Sequence, residues 1–121
     1  MQKIQKFTDL KTWEEAHKLV LLIYKITDKF PDKERYALTS QMRRAAVSVS
    51  SNIAEGFGRR GKKEKIQFYS IGQGSLTELQ NQLIVAKDVG YLKESEFRGI
   101  ELHAILVHKL MTGLIKSINK R

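Results

Sequence analysis

The sequence contains no cysteine and a single proline, Pro31, among its 121 residues. Without cysteine the chain forms neither a disulfide nor a thiolate nucleophile, and nothing points to an oxidising compartment. With one proline, the rest of the chain is free of the residue that most strongly breaks helices. Aromatic residues are also few, at 8%, which argues against sequence-specific recognition of single strands by base stacking.

Long hydrophobic runs are missing as well. Lys11, Glu14, Glu15 and Lys18 interrupt every apolar stretch near the start, where a signal peptide needs an apolar core. No stretch approaches the roughly 20 apolar residues that a membrane span requires. We therefore expect a cytoplasmic protein that has no membrane partner.

Positive charge is what the sequence has in excess. Lysine and arginine number 22 against 13 aspartate and glutamate residues, which gives a net charge of +9. A surplus of this size raises the local concentration of polyanions and speeds their association. It favours nucleic acid, or a partner bound to nucleic acid, as the ligand. The alternative is a charge that serves solubility alone.

Four segments carry apolar residues with a helical repeat, and short links separate them. Asp9 is the predicted N-cap of the first helix, and Phe30-Pro31 ends it because a residue before proline avoids the α region. The glycine-rich stretch at 56–61 is predicted to break the second helix, and Gly90 to follow the end of the third. The helices are expected at about 9–29, 33–56, 62–89 and 94–118. They predict an all-α, antiparallel up-down-up-down four-helix bundle, formed as one domain by residues 1–121.

One apolar stripe on each helix is predicted to face the core. The four stripes consist of Trp13, Ala16, Leu19, Val20, Ile23, Ile26, Thr27 and Phe30; Leu38, Met42, Ala45, Ala46, Val49 and Ile53; Phe68, Gly72, Ser75, Leu76, Leu79, Leu83 and Ala86; and Phe97, Ile100, Ala104, Val107, Leu110, Met111, Leu114 and Ile118. Further apolar residues lie off these stripes, on the first and last helices: Leu10, Leu21, Tyr24, Leu102, Ile105 and Leu106. A monomer would leave this second set of apolar residues exposed to solvent. The set therefore favours a homo-oligomer or a protein partner. The alternative is that a small bundle simply has wide apolar faces.

The turn between the second and third helices concentrates the positive charge. It holds five cations within seven residues: Arg59, Arg60, Lys62, Lys63 and Lys65. The glycines around them let a backbone approach a ligand, and the following helix N-terminus presents N–H donors. This combination suits the phosphates of a polyanion, contacted without base specificity. The letters GFGRRG match a dinucleotide fingerprint, but that motif works only after a strand, and here a helix precedes it. A solvated turn that aids solubility is the alternative.

Polar residues follow the border of the core face on the two middle helices. The set comprises Arg44, Ser48, Asn52, Glu55, Ser75 and Glu78. Half-buried polar groups need hydrogen-bond partners, so these residues are expected to form a structural network that fixes helix register. The alternative is a catalytic acid–base pair made of Glu55 and Glu78.

Metal and nucleophile chemistry find little support in the sequence. A di-iron bundle needs two Glu-x-x-His repeats and two more carboxylates, and only Glu14 with His17 forms such a repeat. His103 and His108 belong to none, and no serine stands in a G-x-S-x-G turn. The histidines are interpreted as packing or surface residues. The sequence therefore predicts no metal site, no cofactor and no catalytic residue.

The second and third helices resemble the core signature of a known family. The resemblance rests on the string QMRRAAVSVSSNIAEGFGR at residues 41–59, and on the stretches at 7–13, 24, 30–31 and 74–79, in the same order along nearly the whole chain. The family comprises the four-helix bundle proteins encoded in intervening sequences of bacterial 23S ribosomal RNA genes. Its relatives include the accessory variability determinants of diversity-generating retroelements.

The resemblance implies a homopentameric barrel with a basic surface. In the retroelement relatives, that barrel resembles a nucleic-acid-binding partner of a reverse transcriptase. For the ribosomal members, the family name describes the location of the gene rather than an activity. The resemblance also implies that Arg44, Asn52, Glu55 and Glu78 belong to a structural network and are not catalysts.

Three functional hypotheses follow from the sequence. The first is a basic, oligomeric, non-catalytic protein that binds RNA or DNA without strong sequence specificity. The second is a scaffold or adaptor that recruits a protein, for example a reverse transcriptase, and whose charge is incidental. The third is an enzyme that acts through Glu55 and Glu78.

Overall fold

The computed structural model describes residues 3–120 and folds them into a bundle of four long helices. The helices are α1 at Lys11–Thr27, α2 at Leu38–Gly58, α3 at Lys62–Asp88 and α4 at Glu94–Asn119, with short 3-10 turns at Phe7–Asp9 and Asp32–Glu34. Each helix packs against two others, in the cyclic order α1, α2, α3, α4. The described part of the chain contains no strand. The predicted all-α antiparallel four-helix bundle is confirmed, whereas the predicted domain bounds at 1 and 121 lie outside the described residues.

The first two helices begin later than the sequence predicted. Asp9 is not the N-cap of α1, since it lies in a 3-10 turn where its carboxylate accepts the Gln5 and Lys6 N–H groups, each at 3.0 Å. The N-cap position falls to Leu10. Helix α2 begins at Leu38 rather than near residue 33, because Asp32–Glu34 form a separate 3-10 turn.

Helix α2 ends at Gly58, inside the glycine-rich stretch at 56–61 that was predicted to break it, and two residues after the predicted bound. The helix continues through Gly56 to Gly58, and an extended Gly61 precedes α3. Gly56 is buried, and a Cβ at this position would lie 2.6 Å from the ring of Tyr69. It therefore allows a close approach of α3 rather than a turn. The predicted turn at Gly90 is confirmed, since its φ of +89° is one that L side chains rarely adopt.

The predicted core stripes are largely buried. They meet in one apolar cluster, against which Trp13 and Leu38 are partly buried. Two assignments differ: Tyr69, with 1% of its surface exposed, is buried in place of its neighbour Phe68, and Leu10 belongs to the core. The other off-stripe residues, from Leu21 on α1 to Leu106 on α4, are exposed as expected. No helix within residues 3–120 is long and apolar enough to cross a membrane.

The α1–α2 and α3–α4 links lie at one end of the bundle, and the α2–α3 turn lies at the other. At one end the α1–α2 and α3–α4 links meet, because the Tyr91 hydroxyl donates to Glu34 at 2.7 Å and the rings of Phe30 and Tyr91 lie 5.3 Å apart. Lys29 adds an ion pair to Glu96 at 3.7 Å. The opposite end therefore holds the start of α1, the α2–α3 turn and the end of α4.

Arg43 joins α1 to α2 through a set of contacts that the sequence did not indicate. Its Nε donates to the buried Thr27 hydroxyl at 2.9 Å, and its Nη2 donates to Asp28 at 2.9 Å. The guanidinium also lies 4.6 Å from the centre of the Tyr24 ring. Thr27 in turn donates to the Ile23 carbonyl at 2.6 Å, so the last turn of α1 is fixed to the second turn of α2.

We expect Arg43→Ala to lower the free energy of unfolding by about 1–2 kcal/mol, because it removes charge-assisted hydrogen bonds that are partly shielded from water. Urea denaturation of the folded protein measures this change. Arg44→Ala is the matched control, since the neighbouring Arg44 is exposed and should shift stability by no more than about 0.5 kcal/mol. Equal effects of the two variants would contradict the proposed role of Arg43.

Glu15 is a buried carboxylate on α1, with 5% of its surface exposed. Lys11 and Lys18 each place their Nζ 3.1 Å from Glu15 Oε2, and His103 Nε2 lies 3.6 Å from Oε1. The hydrogen bonds from Lys11 and then Lys18 hold the pKa of this carboxyl below its ordinary value of 4.5. The ionised form of Glu15 therefore stabilises the fold.

The sign of the resulting pH dependence follows from the lowered pKa. The contribution of Glu15 is fully present above about pH 4.5 and is lost as pH falls through the lower pKa of the folded state. We expect Glu15→Gln to be less stable than the wild type at pH 7, with a difference that shrinks towards pH 3. Chemical denaturation at several pH values measures this. Glu14→Gln is the control, because its exposed carboxylate pairs with Lys18 at 3.7 Å and should leave the pH profile unchanged. A constant stability gap between Glu15→Gln and the wild type from pH 3 to 7 would contradict this assignment.

Candidate nucleic-acid interface

The basic turn is a short, extended link between two helix ends. Arg59 follows the last residue of α2 with an extended backbone, and Gly61 precedes α3 with φ −82° and ψ 144°. No side chain caps the N-terminus of α3. The first backbone N–H groups of α3 therefore face the same region as the surrounding cations.

Among the five cations predicted to bind phosphate, Lys65 and Arg59 form contacts at the turn itself. Lys65 donates to the carbonyl oxygens of Phe57 at 2.8 Å and Gly56 at 3.3 Å, so it caps the end of α2. Arg59 stacks 4.6 Å above the Phe68 ring and lies 4.0 Å from a Glu64 oxygen. These contacts fix both side chains against the turn.

The other three cations, Arg60, Lys62 and Lys63, are exposed to solvent. More positive charge comes from the end of α4, whose register is set by the hydrogen bond from Gln73 to Thr112 at 3.0 Å. Because α3 and α4 run antiparallel, Lys116 and Lys120 lie beside the first turns of α3. The turn is thus part of a larger basic surface that the sequence scatters over three separate segments.

The charge differs between the two ends of the bundle. We define the basic end as residues 3–11, 55–65 and 116–120, which hold ten lysines and arginines against three acidic residues. The neutral end consists of residues 28–35 and 87–98, which hold six of each sign. The surplus charge of the chain is therefore concentrated at one end rather than spread evenly over the surface.

Three members of the predicted polar network meet between α2 and α3. The hydroxyl oxygens of Ser48 and Ser75 share a hydrogen bond at 2.8 Å. Asn52 donates to the Ser48 carbonyl at 2.8 Å and to the Ser48 hydroxyl at 3.1 Å. These half-buried groups satisfy one another, and the bond between the serines crosses from one helix to the next.

The charged members of the predicted network do not join it. Arg44, Glu55 and Glu78 are exposed, and none of them forms an ion pair within residues 3–120. Glu78 accepts a hydrogen bond from Gln82 at 3.4 Å. Glu55 and Glu78 lie on the solvent side of their helices, where neither carboxylate is desolvated in the way a catalytic acid requires.

Two of the three histidines, His17 and His103, have packing contacts, and His108 is exposed. His17 stacks on Trp13 with ring centres 4.8 Å apart, and His103 Nε2 lies 2.9 Å from the carbonyl oxygen of Glu15. No group of three or more potential metal ligands occurs among the described residues.

Sequence reasoning missed Arg43 and Tyr36. Tyr36, just before α2, has 89% of its surface exposed, and it was assigned no role from the sequence. Its place in a short link rather than in a helical stripe was a signal for exposure. No local signal indicated Arg43, because its partners lie on the preceding helix.

The fold and the charged end define a small, basic, α-helical bundle protein. Residues 8–113 match the family model described as 23S rRNA-intervening sequence protein, and the chain belongs to this family. A similar fold occurs in the crystal structure of a protein with unknown function from the S23 ribosomal protein family of Bacteroides thetaiotaomicron. That structure superposes with a TM-score of 0.81 at 16% sequence identity, over 87% of this chain and 95% of the other. No curated protein matches the sequence.

Proposed function

We propose that this chain is a non-catalytic, cytoplasmic protein that binds RNA or DNA through phosphate contacts at its basic end, without strong sequence specificity. The observation that supports this proposal is the unequal charge of the two ends of the bundle. The basic end holds ten cations and three anions, whereas the neutral end holds six of each. Charge that served solubility alone would need no such separation. A concentrated cationic surface attracts a polyanion and releases its counterions.

The geometry of the α2–α3 turn supports contact with phosphates. Arg60, Lys62 and Lys63 are exposed, and the uncapped N-terminus of α3 directs N–H donors to the same side. Neither feature reads a base edge. Binding through the turn is therefore expected to position a nucleic-acid backbone rather than to select a sequence.

Binding measured over a salt series tests this proposal. We expect the affinity for unrelated RNA and DNA duplexes to fall linearly on a log–log plot, with a slope of about −0.9 for each phosphate contact on DNA. Fluorescence anisotropy between 50 and 300 mM salt gives that slope. An affinity that does not change with salt concentration, or one that differs strongly between unrelated sequences, would overturn the proposal.

A homo-oligomer is the second part of the proposal, and exposed leucines favour it. Leu21 on α1 and Leu102 on α4 are 56% and 67% exposed, and exposed apolar patches mark sites of protein–protein contact. Light scattering should then give a mass that is a multiple of 13.9 kDa. The family resemblance implies that this multiple is five. Leu21→Ser with Leu102→Ser should reduce that mass. A monomeric wild type would contradict the oligomer and leave the salt series unaffected.

The same exposed leucines favour the alternative, a scaffold that recruits a protein such as a reverse transcriptase. The two functions differ in their sensitivity to salt and nuclease. A partner that stays bound after nuclease treatment in high salt would support the scaffold. Release under these conditions would support nucleic acid as the bridge.

A further inference from the structure

Two grooves meet on α2 beside the exposed ring of Tyr36. One groove, of about 570 Å³, lies between α1 and α2, and the other, of about 630 Å³, lies between α2 and α3. Tyr36, Ser40, Arg44 and Ser48 line both of them. Small-ligand sites typically measure about 300–1,000 Å³, so each groove has the size of a site for a single small molecule.

The groove between α1 and α2 has the chemistry of an anion site. Arg35, Arg43 and Arg44 line it together with three serine and threonine hydroxyls, and no carboxylate is among its lining residues. These hydroxyls belong to Thr39, Ser40 and Ser48. Arg43 is balanced by Asp28 at 2.9 Å, and Arg35 lies 4.0 Å from Asp32. Arg44 has no ion-pair partner in the described part of the chain, so its guanidinium supplies the unbalanced positive charge. A guanidinium binds phosphate through two parallel hydrogen bonds.

Tyr36 gives the grooves an aromatic surface. Its ring is 89% exposed, the largest fraction for any large apolar or aromatic side chain in residues 3–120. An exposed aromatic ring beside an arginine is the usual platform on which a nucleic-acid base stacks. The position of Tyr36 on the shared rim allows a planar group on the ring to reach into either groove.

The groove between α2 and α3 differs from the first in its polar groups. Gln41, Ser75 and Glu78 line it, providing an amide, a hydroxyl and a carboxylate. A carboxylate repels phosphate but accepts hydrogen bonds from hydroxyl and amino groups. This groove therefore suits a sugar or the edge of a base, whereas the first suits the phosphate.

We propose that the two grooves form a binding site for one nucleotide unit. Arg44, with Arg35 beside it, holds the phosphate, Tyr36 stacks on the base, and Gln41 and Glu78 bond the sugar or the base edge. Both a free nucleotide and one nucleotide of a single strand have this chemistry. The site is about 22 Å from the basic end along α2, at 1.5 Å per residue between Arg44 and Arg59. It therefore goes beyond the proposed function and does not depend on it.

Titration of the full chain with AMP, followed in ¹H–¹⁵N spectra, tests the site and reports at once whether each variant is folded. We expect shifts in the amides around Tyr36, Ser40 and Arg44. Tyr36→Ala should weaken binding by about 5- to 150-fold, the range for loss of one stacked base, while Tyr36→Phe should keep most of the affinity. Arg44→Gln should weaken binding at least about tenfold.

Two controls separate this site from the basic end. Arg98→Ala removes an exposed arginine elsewhere, on α4, and should leave AMP binding unchanged. Arg60→Glu with Lys63→Glu alters the basic end and should leave the AMP-dependent shifts around Tyr36, Ser40 and Arg44 unchanged. A single-stranded uridine hexanucleotide identifies the source of the ligand: much tighter binding than AMP indicates a strand, and equal binding indicates a free nucleotide.

The proposal is overturned if neither AMP nor the hexanucleotide binds in a way that Tyr36→Ala weakens. It is also overturned if Tyr36→Ala lowers the mass of an oligomer, since the groove would then be a subunit interface. Failure of the salt series at the basic end has no bearing on this outcome, because the amides and variants that report on AMP lie at the grooves, about 22 Å from Arg59 along α2.

Discussion

Reversing three exposed charges at the α2–α3 turn is expected to weaken nucleic-acid binding on the order of 10²- to 10³-fold at 0.1 M salt. The variant combines Arg60→Glu, Lys62→Glu and Lys63→Glu. Each lost phosphate contact removes about 0.9 from the slope of log affinity against log salt, so three contacts remove about 2.7. At 0.1 M salt that corresponds to a loss of roughly 500-fold, before any repulsion from the new carboxylates is added.

A second variant with the same net charge provides the matched control. Lys33→Glu, Lys93→Glu and Arg98→Glu reverse three exposed cations at the neutral end. If net charge alone controlled binding, both triple variants would lose the same affinity. The proposed interface requires a large loss and a shallower salt slope for the first variant, with a much smaller change for the second.

Fluorescence anisotropy with one RNA duplex and one unrelated DNA duplex measures both variants. The loss should be similar for the two duplexes, because phosphates carry no sequence information. Circular dichroism confirms that the helices persist in each variant. Equal losses at both ends would show that the basic end is not an interface.

Adding a single methyl group at Gly56 is expected to destabilise the bundle. The new Cβ in Gly56→Ala would lie 2.6 and 2.8 Å from two atoms of the Tyr69 ring and 3.1 Å from the Phe68 Cβ. The ring is fully buried and cannot swing into solvent. Overpacking of this kind costs about 1–3 kcal/mol beyond the helix propensity that alanine gains over glycine.

Gly74→Ala is the matched control within α3. Nothing lies within 4 Å of a Cβ built on Gly74, so alanine should stabilise this helix by up to about 1 kcal/mol. We therefore expect the two variants to differ by about 2–4 kcal/mol in their free energies of unfolding, with opposite signs. Urea denaturation gives both values. A Gly56→Ala protein as stable as the wild type would show that α2 and α3 do not approach as closely as described.

A double-mutant cycle assigns the effect to the contact itself. Tyr69→Leu removes the ring atoms that the new methyl group would meet. It is destabilising alone, but Gly56→Ala should cost less in its presence. A coupling energy of about 1 kcal/mol or more is expected for residues in direct contact.

Much of this fold was predictable from the sequence because it depends on local periodicity. A 3.6-residue repeat of apolar side chains specifies a helix and its buried face whatever the neighbouring helices do. The helix number and most of the core stripes were therefore correct, and glycine's tolerance of positive φ made the turn at Gly90 predictable as well. The first turns of α1 and α2 were not, because short 3-10 turns obey no such repeat.

The third helix shows where the periodic pattern stops being sufficient. Phe68 and Tyr69 lie four and three residues before Gly72, so both positions fit the buried face. The more apolar Phe68 was favoured, yet Tyr69 is the buried residue, because Gly56 leaves room for its ring. The choice depends on the rotation of one helix against another.

The candidate sites were predictable to a smaller extent. A run of cations in the sequence is enough to locate the α2–α3 turn as basic. The polar stripes on α2 and α3 indicated a hydrogen-bonded network, but not that Ser48 and Ser75 would be the pair that joins the helices. The cap that Lys65 forms and the anchor that Arg43 forms have partners in other elements. The sequence specifies neither the distance nor the direction of those partners.

The sequence by itself thus determined four amphipathic helices and an excess of positive charge. The helices follow from the spacing of apolar residues near one another in the chain, and the net charge follows from composition alone. Only the tertiary structure decided that this charge is concentrated at one end. The antiparallel packing brings the start of α1, the α2–α3 turn and the end of α4 together, while the other end holds equal numbers of cations and anions, six of each. Electrostatic fields depend on distances in space, and the chain order does not contain those distances.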